Sequence, residues 1–255
     1  MDTSQQEYAA QHYAPRAQDY VTSQVHAAGE DLDQVEAMLR QQGTDRLLDL
    51  GCGGGHVSYR AAPYAKEVVA VDVTARMLEV VAETAAARGI DNILPRQAAA
   101  ENLPFDDGSF DFVASRFSAH HWQDMAAGLR QARRVLAAGG RAIFIDTIAP
   151  ADAVLDTHLQ TVELLRDASH VRNYNLCEWI AALEAAGFQV DGVTRRRVRL
   201  QFASWIARTR TSPLYVEAIR ALQTGAPDVV QKHFSTEADG SFTLDSVAII
   251  ANVAR

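Results

Sequence analysis

The sequence predicts an α/β fold, a doubly wound and mostly parallel sheet with extra helices capping one side. Short apolar runs rich in Val, Ile and Leu alternate with longer segments of helical spacing, and glycines fall where one kind of segment gives way to the other. The 255 residues are 48% hydrophobic and 22% charged, the mix of a globular chain with enough apolar surface for a sizeable core. That length predicts one large domain, or one domain with a cap.

Residues 1 to about 43 show helical spacing, with Tyr20, Val21 and Val25, then Leu32, Val35, Met38 and Leu39, on recurring faces. They are expected to form an N-terminal helical arm. Arg46 to Leu50 reads as a buried strand that runs into Gly51-Cys-Gly-Gly-Gly55, and Val57 to Ala65 as the helix that follows. Glu67 to Val73 is a second strand, Ala75 to Arg88 a helix stopped at Gly89, and Ile93 to Gln97 a third strand. Phe110 to Ser115, a helix from Met125 to Ala137, and a strand from Gly139 to Asp146 continue the alternation. Parallel strands joined this way need helices on both faces. Beyond Ala149 the rhythm changes. Asp152 to Ala168 and Leu176 to Ala186 read as inserted helices, Phe188 to Leu200 as a strand, Phe202 to Leu222 as one helix, and Ser241 to Ala251 as the last strand. The expected parts are therefore an arm at 1–43, a ligand-binding core at 44–150, and a C-terminal part at 151–255 holding cap helices and the last two strands.

Lys and Arg number 24 against 32 Asp and Glu, a formal net charge of −8, and the densest basic run is only Arg195, Arg196, Arg197 and Arg199. Such a chain has no field to hold a polyphosphate backbone, so nucleic acid is not expected as a partner. The two cysteines, Cys52 and Cys177, lie far apart without metal-ligand spacing, and no His/Asp/Glu cluster suggests a metal. No apolar run reaches membrane-spanning length, and the first residues lack the basic start and apolar core of a secretion signal. A cytoplasmic protein without a membrane span is expected.

Gly51-x-Gly53-x-Gly55 follows a strand and opens a helix, which points backbone N–H groups and a positive helix end at the strand's carboxyl edge. Asp72 ends the next strand, 21 residues after Gly51, where a carboxylate can accept from both hydroxyls of a ribose. Nicotinamide and adenosyl cofactors share that need. A dinucleotide fingerprint would have a third glycine at position 56, where this chain has His56.

Four segments together resemble the successive motifs of the class I S-adenosylmethionine-dependent methyltransferases: Leu47-Leu-Asp-Leu-Gly-Cys-Gly-Gly-Gly55, Val69-Ala-Val-Asp72, Ala100-Glu-Asn-Leu-Pro-Phe-Asp-Asp-Gly-Ser-Phe-Asp111 and Arg134-Val-Leu-Ala-Ala-Gly-Gly140. Within that family, Ser115-Arg-Phe-Ser-Ala-His-His-Trp122 and Arg166 to Tyr174 followed by Glu178-Trp179 resemble the ubiquinone/menaquinone-biosynthesis (UbiE-like) branch, with most likeness to YafE-like proteins. The resemblance implies a seven-stranded, Rossmann-like sheet with its last strand antiparallel, and S-adenosyl-L-methionine as cofactor with S-adenosyl-L-homocysteine as product. It implies that Gly51, Gly53 and Gly55 wrap the methionine moiety, that Asp72 holds the ribose beside Val73, and that Ala100 and Glu101 flank the adenine. Asp49, Cys52, Met77, Ser115 and Arg116 join the cofactor-binding set, Asp49 as an acceptor that orders the glycine loop and Cys52 without a nucleophilic role. Where the family often carries an acidic residue before the alanine–glutamate pair, this chain has Ala99, which leaves adenine recognition to backbone groups or weaker polar contacts.

Methyl transfer from a sulfonium is an in-line displacement, so alignment and exclusion of water come first and a base is optional. His120 and His121, just past the fourth strand, are the candidates for removing a proton from the acceptor, against the alternative of a helix cap and an ordinary buried ring. Arg166, His170 and Arg172 are candidates for contact with an anionic or oxygen-rich acceptor, against surface ion pairs. The arm carries Tyr8, Tyr13, Tyr20 and His26, a packing stripe or a lid, with His26 a candidate substrate contact. The expected activity is methylation of a C, O or N atom of a small organic acceptor by a monomer or homodimer, with a tilt towards ring or quinone-like compounds. Two alternatives stay open at this point, a non-catalytic adenosyl-binding protein and a nicotinamide-dependent oxidoreductase.

Overall fold

The computed structural model describes residues 4–18 and 29–253, which build a single seven-stranded sheet flanked by helices. The strands are β1 (Thr44–Leu50), β2 (Ala65–Asp72), β3 (Ile93–Gln97), β4 (Phe110–Arg116), β5 (Leu136–Thr147), β6 (Gln189–Leu200) and β7 (Phe242–Asn252), in the spatial order β3-β2-β1-β4-β5-β7-β6. The first five pair in parallel, and β7 runs antiparallel to both neighbours, Ile143 facing Ile250 and Val193 facing Ile249. The doubly wound prediction and its antiparallel last strand both hold.

Alternation along the strands divides the core in two. Leu48, Leu50, Phe144, Val247 and Ile249 pack on one face, and Leu47, Ile143, Ile145 and Ala248 on the other. Both faces are apolar because both are covered. The helices around the parallel half of the sheet are α1 (Gln5–Tyr13), α2 (Glu30–Gln42), α3 (His56–Ala61), α4 (Ala75–Ala87) and α5 (Met125–Val135). α1 starts at a reciprocal cap between Ser4 and Glu7, and Ala17 after it packs with Met77 and Val80 of α4. Tyr20, Val21, Val25 and His26 lie outside the described residues.

The remaining helices are α6 (Ala153–Arg166), α7 (Leu176–Ala185), α8 (Phe202–Thr209), α9 (Pro213–Gly225) and α10 (Asp228–Phe234). α7, expected as a cap helix, instead buries Trp179 and Leu183 in the sheet core beside Phe144 and Phe188, so the cap is α6 with α8–α10. Leu155, Leu159, Trp205, Ile219, Phe234 and Leu244 form a third core that joins α6 and α8–α10 to the outer end of β7. The expected single helix from Phe202 to Leu222 is two helices. Arg210 takes a left-handed φ of 51°, and Pro213, capped by Ser212, starts the second. α10, which the sequence reading passed over, follows Pro227 directly. α3 ends at Ala61, short of the predicted Ala65, because Pro63 turns the chain into a 3-10 turn and β2 begins there. β5 starts at Leu136, so the predicted end of the preceding helix at Ala137 belongs to the strand.

The arginine run lies on edge strand β6 and is spent on partners: Arg196 on Gln34, Arg197 on Asp245, and Arg199 on Glu237 through two bonds of 2.5 and 2.6 Å. Charged side chains along an edge also deter pairing with another sheet.

Candidate functional site

Going outward from β1, the strand order departs towards β2 on one side and β4 on the other. A crevice opens at such a reversal, beyond the carboxyl ends of the strands. The cavity found there is lined by Asp49, Gly51, Cys52 and Gly53 at and beyond the end of β1, by Asp72, Val73 and Met77 at and beyond the end of β2, and by Ala100 and Glu101. Arg116, His120, His121 and Arg166 line it too, so most of the predicted site residues meet in one place.

The glycine turn is built for close approach. Gly51 has φ +74°, and a Cβ there would lie 1.8 Å from Ser118 Oγ, where the chain turns sharply out of β4 at Phe117 (φ 51°). Gly53 has φ +48°, its added Cβ would meet no atom within 4 Å, and it lines the cavity, so the space before it is room for a ligand. Gly55 closes the turn against Tyr59 and does not line the cavity.

The Asp72 carboxylate accepts from Gly53 N at 3.0 Å and Thr74 N at 2.8 Å, which fixes it at the cavity wall. Burial pushes its pKa up against those bonds. Asp49 is buried beneath the loop and accepts from both the N–H (3.0 Å) and the hydroxyl (2.6 Å) of Ser58; burial nonetheless pushes its pKa up to about 6. Burial also raises the Cys52 thiol well above its ordinary value, which removes it as a nucleophile. These groups fit an adenosyl cofactor. A fixed carboxylate faces the ribose position, an open glycine leaves room for the amino-acid tail, and Met77 and Val73 offer apolar cover. Ala99 is withdrawn from the wall in a bridge with Asn102, while Glu101 is held by Gln6 Nε2 at 3.2 Å and Asp124 N at 3.3 Å. Ser115 is buried within β4 and does not reach the cavity.

The two histidines differ in what they are tied to. His120 Nδ1 lies 2.6 Å from Asp146 Oδ1, and a carboxylate accepts, so Nδ1 carries the proton. Nε2 has no hydrogen-bond partner among the described residues, and the ring lines the cavity. Burial pushes the His120 pKa down, but the charge and hydrogen bond of Asp146 outweigh it and leave the pKa raised. His121 is committed at both nitrogens, Nδ1 to Ser169 O at 3.1 Å and Nε2 to Tyr13 Oη at 2.9 Å. Burial, then the neighbouring His120, lowers its pKa to about 4.

Tyr13 Oη donates its one proton to Asp167 Oδ2 at 2.5 Å, and His12 Nε2 sits 3.2 Å from Asp167 Oδ1. Gln5 Nε2 reaches Ser169 O at 2.8 Å. α1 is thus latched across the crevice by polar contacts, and Gln6, Ala9 and Tyr13 form part of its wall. Burial favours protonation of Asp167, yet His121 and the donors Ser169 and Tyr13 hold its pKa well below the usual range.

Beyond His120 the cavity continues under the cap, between Glu163 and Arg166 of α6, Trp205 and Arg208 of α8, Val198 and Leu200 of β6, and Leu244 and Ser246 of β7. Arg166 donates from Nε to Trp205 O at 3.1 Å. The other two predicted acceptor contacts lie elsewhere. His170 is buried behind His120, with Nε2 on Gln160 Oε1 at 2.9 Å, and the Arg172 guanidinium pairs with Asp156 at 3.1 Å and Glu178 at 3.5 Å. Arg172 serves the site through its backbone N–H, which reaches His120 O at 3.2 Å. Asp146, Glu163 and Arg208 went unread in the sequence. An aspartate at the end of the strand beside β4 was the available signal for the first; the other two stand on cap helices whose placement depends on packing.

Among known proteins, the methyltransferase domain family matches residues 48–144. The chain is 46% identical over 204 residues to the uncharacterized protein YafE of Escherichia coli (strain K12), covering 80% of this chain and 99% of that one. It is 37% identical over 199 residues to the uncharacterized methyltransferase YcgJ of Bacillus subtilis (strain 168), covering 78% of this chain and 79% of that one. The crystal structure of YcgJ superposes with a TM-score of 0.85 over 89% of this chain and 99% of that chain, at 32% identity. Geranyl diphosphate C-methyltransferase from Streptomyces coelicolor A3(2), solved with Mg2+, geranyl diphosphate and S-adenosyl-L-homocysteine, shares the fold at a TM-score of 0.58 and 18% identity, over 86% of this chain and 78% of that one.

Proposed function

This chain belongs to the class I S-adenosylmethionine-dependent methyltransferases, and we propose that it methylates a small organic acceptor with His120 as the proton-accepting base. S-adenosylmethionine supplies an electrophilic methyl group on a sulfonium. Asp72 would hold the ribose hydroxyls, Gly51 and Gly53 the methionine moiety, with Val73, Met77, Ala100 and Glu101 around the adenine. Asp49 and Cys52 line the cavity beneath the loop, and Gly55 closes the turn behind it.

The observation that carries the base assignment is the His120–Asp146 pair, which fixes Nδ1 to a buried carboxylate and leaves Nε2 on the cavity. An acceptor O–H or N–H placed beside Nε2 would lose its proton to that lone pair, leaving an oxygen or nitrogen nucleophile for the methyl that S-adenosylmethionine would supply, with the thioether S-adenosylhomocysteine as the leaving group. Nδ1–H, held by Asp146, stabilises the imidazolium that results. α1 and the cap shield the reacting atoms from water. A ring or quinone-like acceptor, as in the ubiquinone/menaquinone branch that Ser115–Trp122 resembles, agrees with the apolar walls of the inner cavity. Work in the cytoplasm as a monomer or homodimer completes the reading; among the described residues no helix is long and apolar enough to cross a membrane.

The test is transfer of labelled methyl to a pool of hydroxylated and amino acceptors. His120→Gln is expected to lower kcat by about 10²–10⁴-fold with S-adenosylmethionine affinity retained. Near-wild-type turnover in His120→Gln, His121→Gln and the double variant would end the base assignment. Cofactor binding without transfer to any acceptor would favour the non-catalytic alternative.

A further inference from the structure

Glu163 stands on the cavity side of α6 and is 93% buried at a relative exposure of 7%. Its carboxylate receives no hydrogen bond from the described residues. Its ion-pair partner, Arg166, stays 3.6 Å away, beyond hydrogen-bond reach. Buried carboxylates are normally satisfied by two or more donors, because an ion taken out of water without them is destabilising. A chain that keeps such a group on the wall of its acceptor cavity has left a place for a donor that arrives with the ligand.

We propose that Glu163 is the acceptor-recognition residue of this enzyme, accepting a hydrogen bond from a hydroxyl carried on an otherwise apolar acceptor. The inference rests on the methyltransferase reading above and deepens it. The surroundings choose among donors. Glu163 lines the cavity with Arg166 and Arg208, and His120 and Asp167 act on it as well, so the charges around it are already mixed in sign and a charged ligand group would be attracted by some and repelled by others. A hydroxyl donates to Glu163 while bringing no charge of its own. Trp205, Leu200, Val198 and Leu244 supply the apolar walls for the body that carries it. With His120 on the same cavity, the acceptor is held at two polar points: the atom to be methylated and the hydroxyl at Glu163.

The probes are four molecules on one ring, benzyl alcohol, benzyl methyl ether, benzylamine and benzoate, titrated by NMR into the full chain saturated with S-adenosylhomocysteine. Benzyl alcohol is expected to bind at least tenfold more tightly than the other three, and Glu163→Ala to abolish that preference. Glu163→Gln, which keeps the shape, is expected to weaken the alcohol while leaving Tm unchanged or raised, since no structural hydrogen bond is lost. Equal binding of alcohol and ether, tighter binding of benzylamine or benzoate, unchanged alcohol binding in Glu163→Ala, or no binding of any probe would overturn the proposal. So would a Tm fall of more than 5 °C in Glu163→Gln, the mark of a structural ion pair. Failure of S-adenosylhomocysteine to bind the wild type would strike the cofactor reading and take this proposal with it. Failure of the alcohol alone, with S-adenosylhomocysteine bound, strikes only Glu163.

Discussion

His120 and His121 are adjacent in the chain and opposite in chemistry. One ring nitrogen of His120 is bound to Asp146 and the other faces the cavity, whereas both nitrogens of His121 are taken. The Asp146 carboxylate favours the imidazolium, so the base form of His120 fills only as pH rises past a pKa above 6.5. The acid limb of kcat/KM is therefore expected above pH 6.5, with a plateau at higher pH. Asp146→Asn removes the largest raising influence and leaves burial opposed only by Glu163 and Asp167, so the limb should move to lower pH; a limb unmoved in a pH–rate profile would show that another group titrates. The glycines make a second contrast. A methyl at Gly51 runs into Ser118, which the turn at Phe117 holds in place, whereas a methyl at Gly53 enters open space before the cavity. Gly51→Ala is expected to lower stability by several kcal/mol in urea unfolding, as overpacking joins left-handed strain. Gly53→Ala should lose only about 1–2 kcal/mol of stability, and weaken S-adenosylmethionine by tenfold or more in calorimetry.

α1 is an element whose role rests on side chains that periodicity reads as packing. Tyr8 is exposed, and only the fold shows that Tyr13 places its hydroxyl between His121 and Asp167, with Gln6 reaching Glu101 on the cavity wall. Tyr13→Phe leaves buried Asp167 short of a donor, a loss of about 1–3 kcal/mol. The expected result is faster tryptic cleavage at Arg16 and a rise of several-fold in the KM of S-adenosylmethionine, with urea unfolding of the core unchanged. A loss confined to core stability would make the helix structural. The cap elements show where local reading stops. Phe202 to Leu222 is apolar enough to read as one helix, but Pro213 has no N–H to continue it and Ser212 caps a new start. The split turns Trp205 and Arg208 towards Glu163 and sends α9 to pack on α6 through Ile219.

On the scale of the molecule, one crevice carries both the cofactor strands and the capped inner cavity, so cofactor binding and acceptor binding are separable measurements on one chain. Calorimetric titration should give micromolar binding of S-adenosylmethionine and S-adenosylhomocysteine, about −8 kcal/mol, and no heat with NADH; binding of NADH alone would contradict the family assignment. The sequence by itself determined the sheet, because strand alternation, the Gly51–Gly55 turn and Asp72 are local patterns with a fixed position in a βαβ unit. It also placed both histidines, Asp72 and the glycine turn at the carboxyl ends of neighbouring strands. Only the tertiary structure decided which histidine has both ring nitrogens engaged, that Arg172 meets His120 through its backbone N–H, and that Glu163 lines the inner cavity. Those outcomes depend on Asp146, Tyr13, Ser169 and Trp205, partners from distant parts of the chain, and no short-range pattern records which of them arrive at a given side chain.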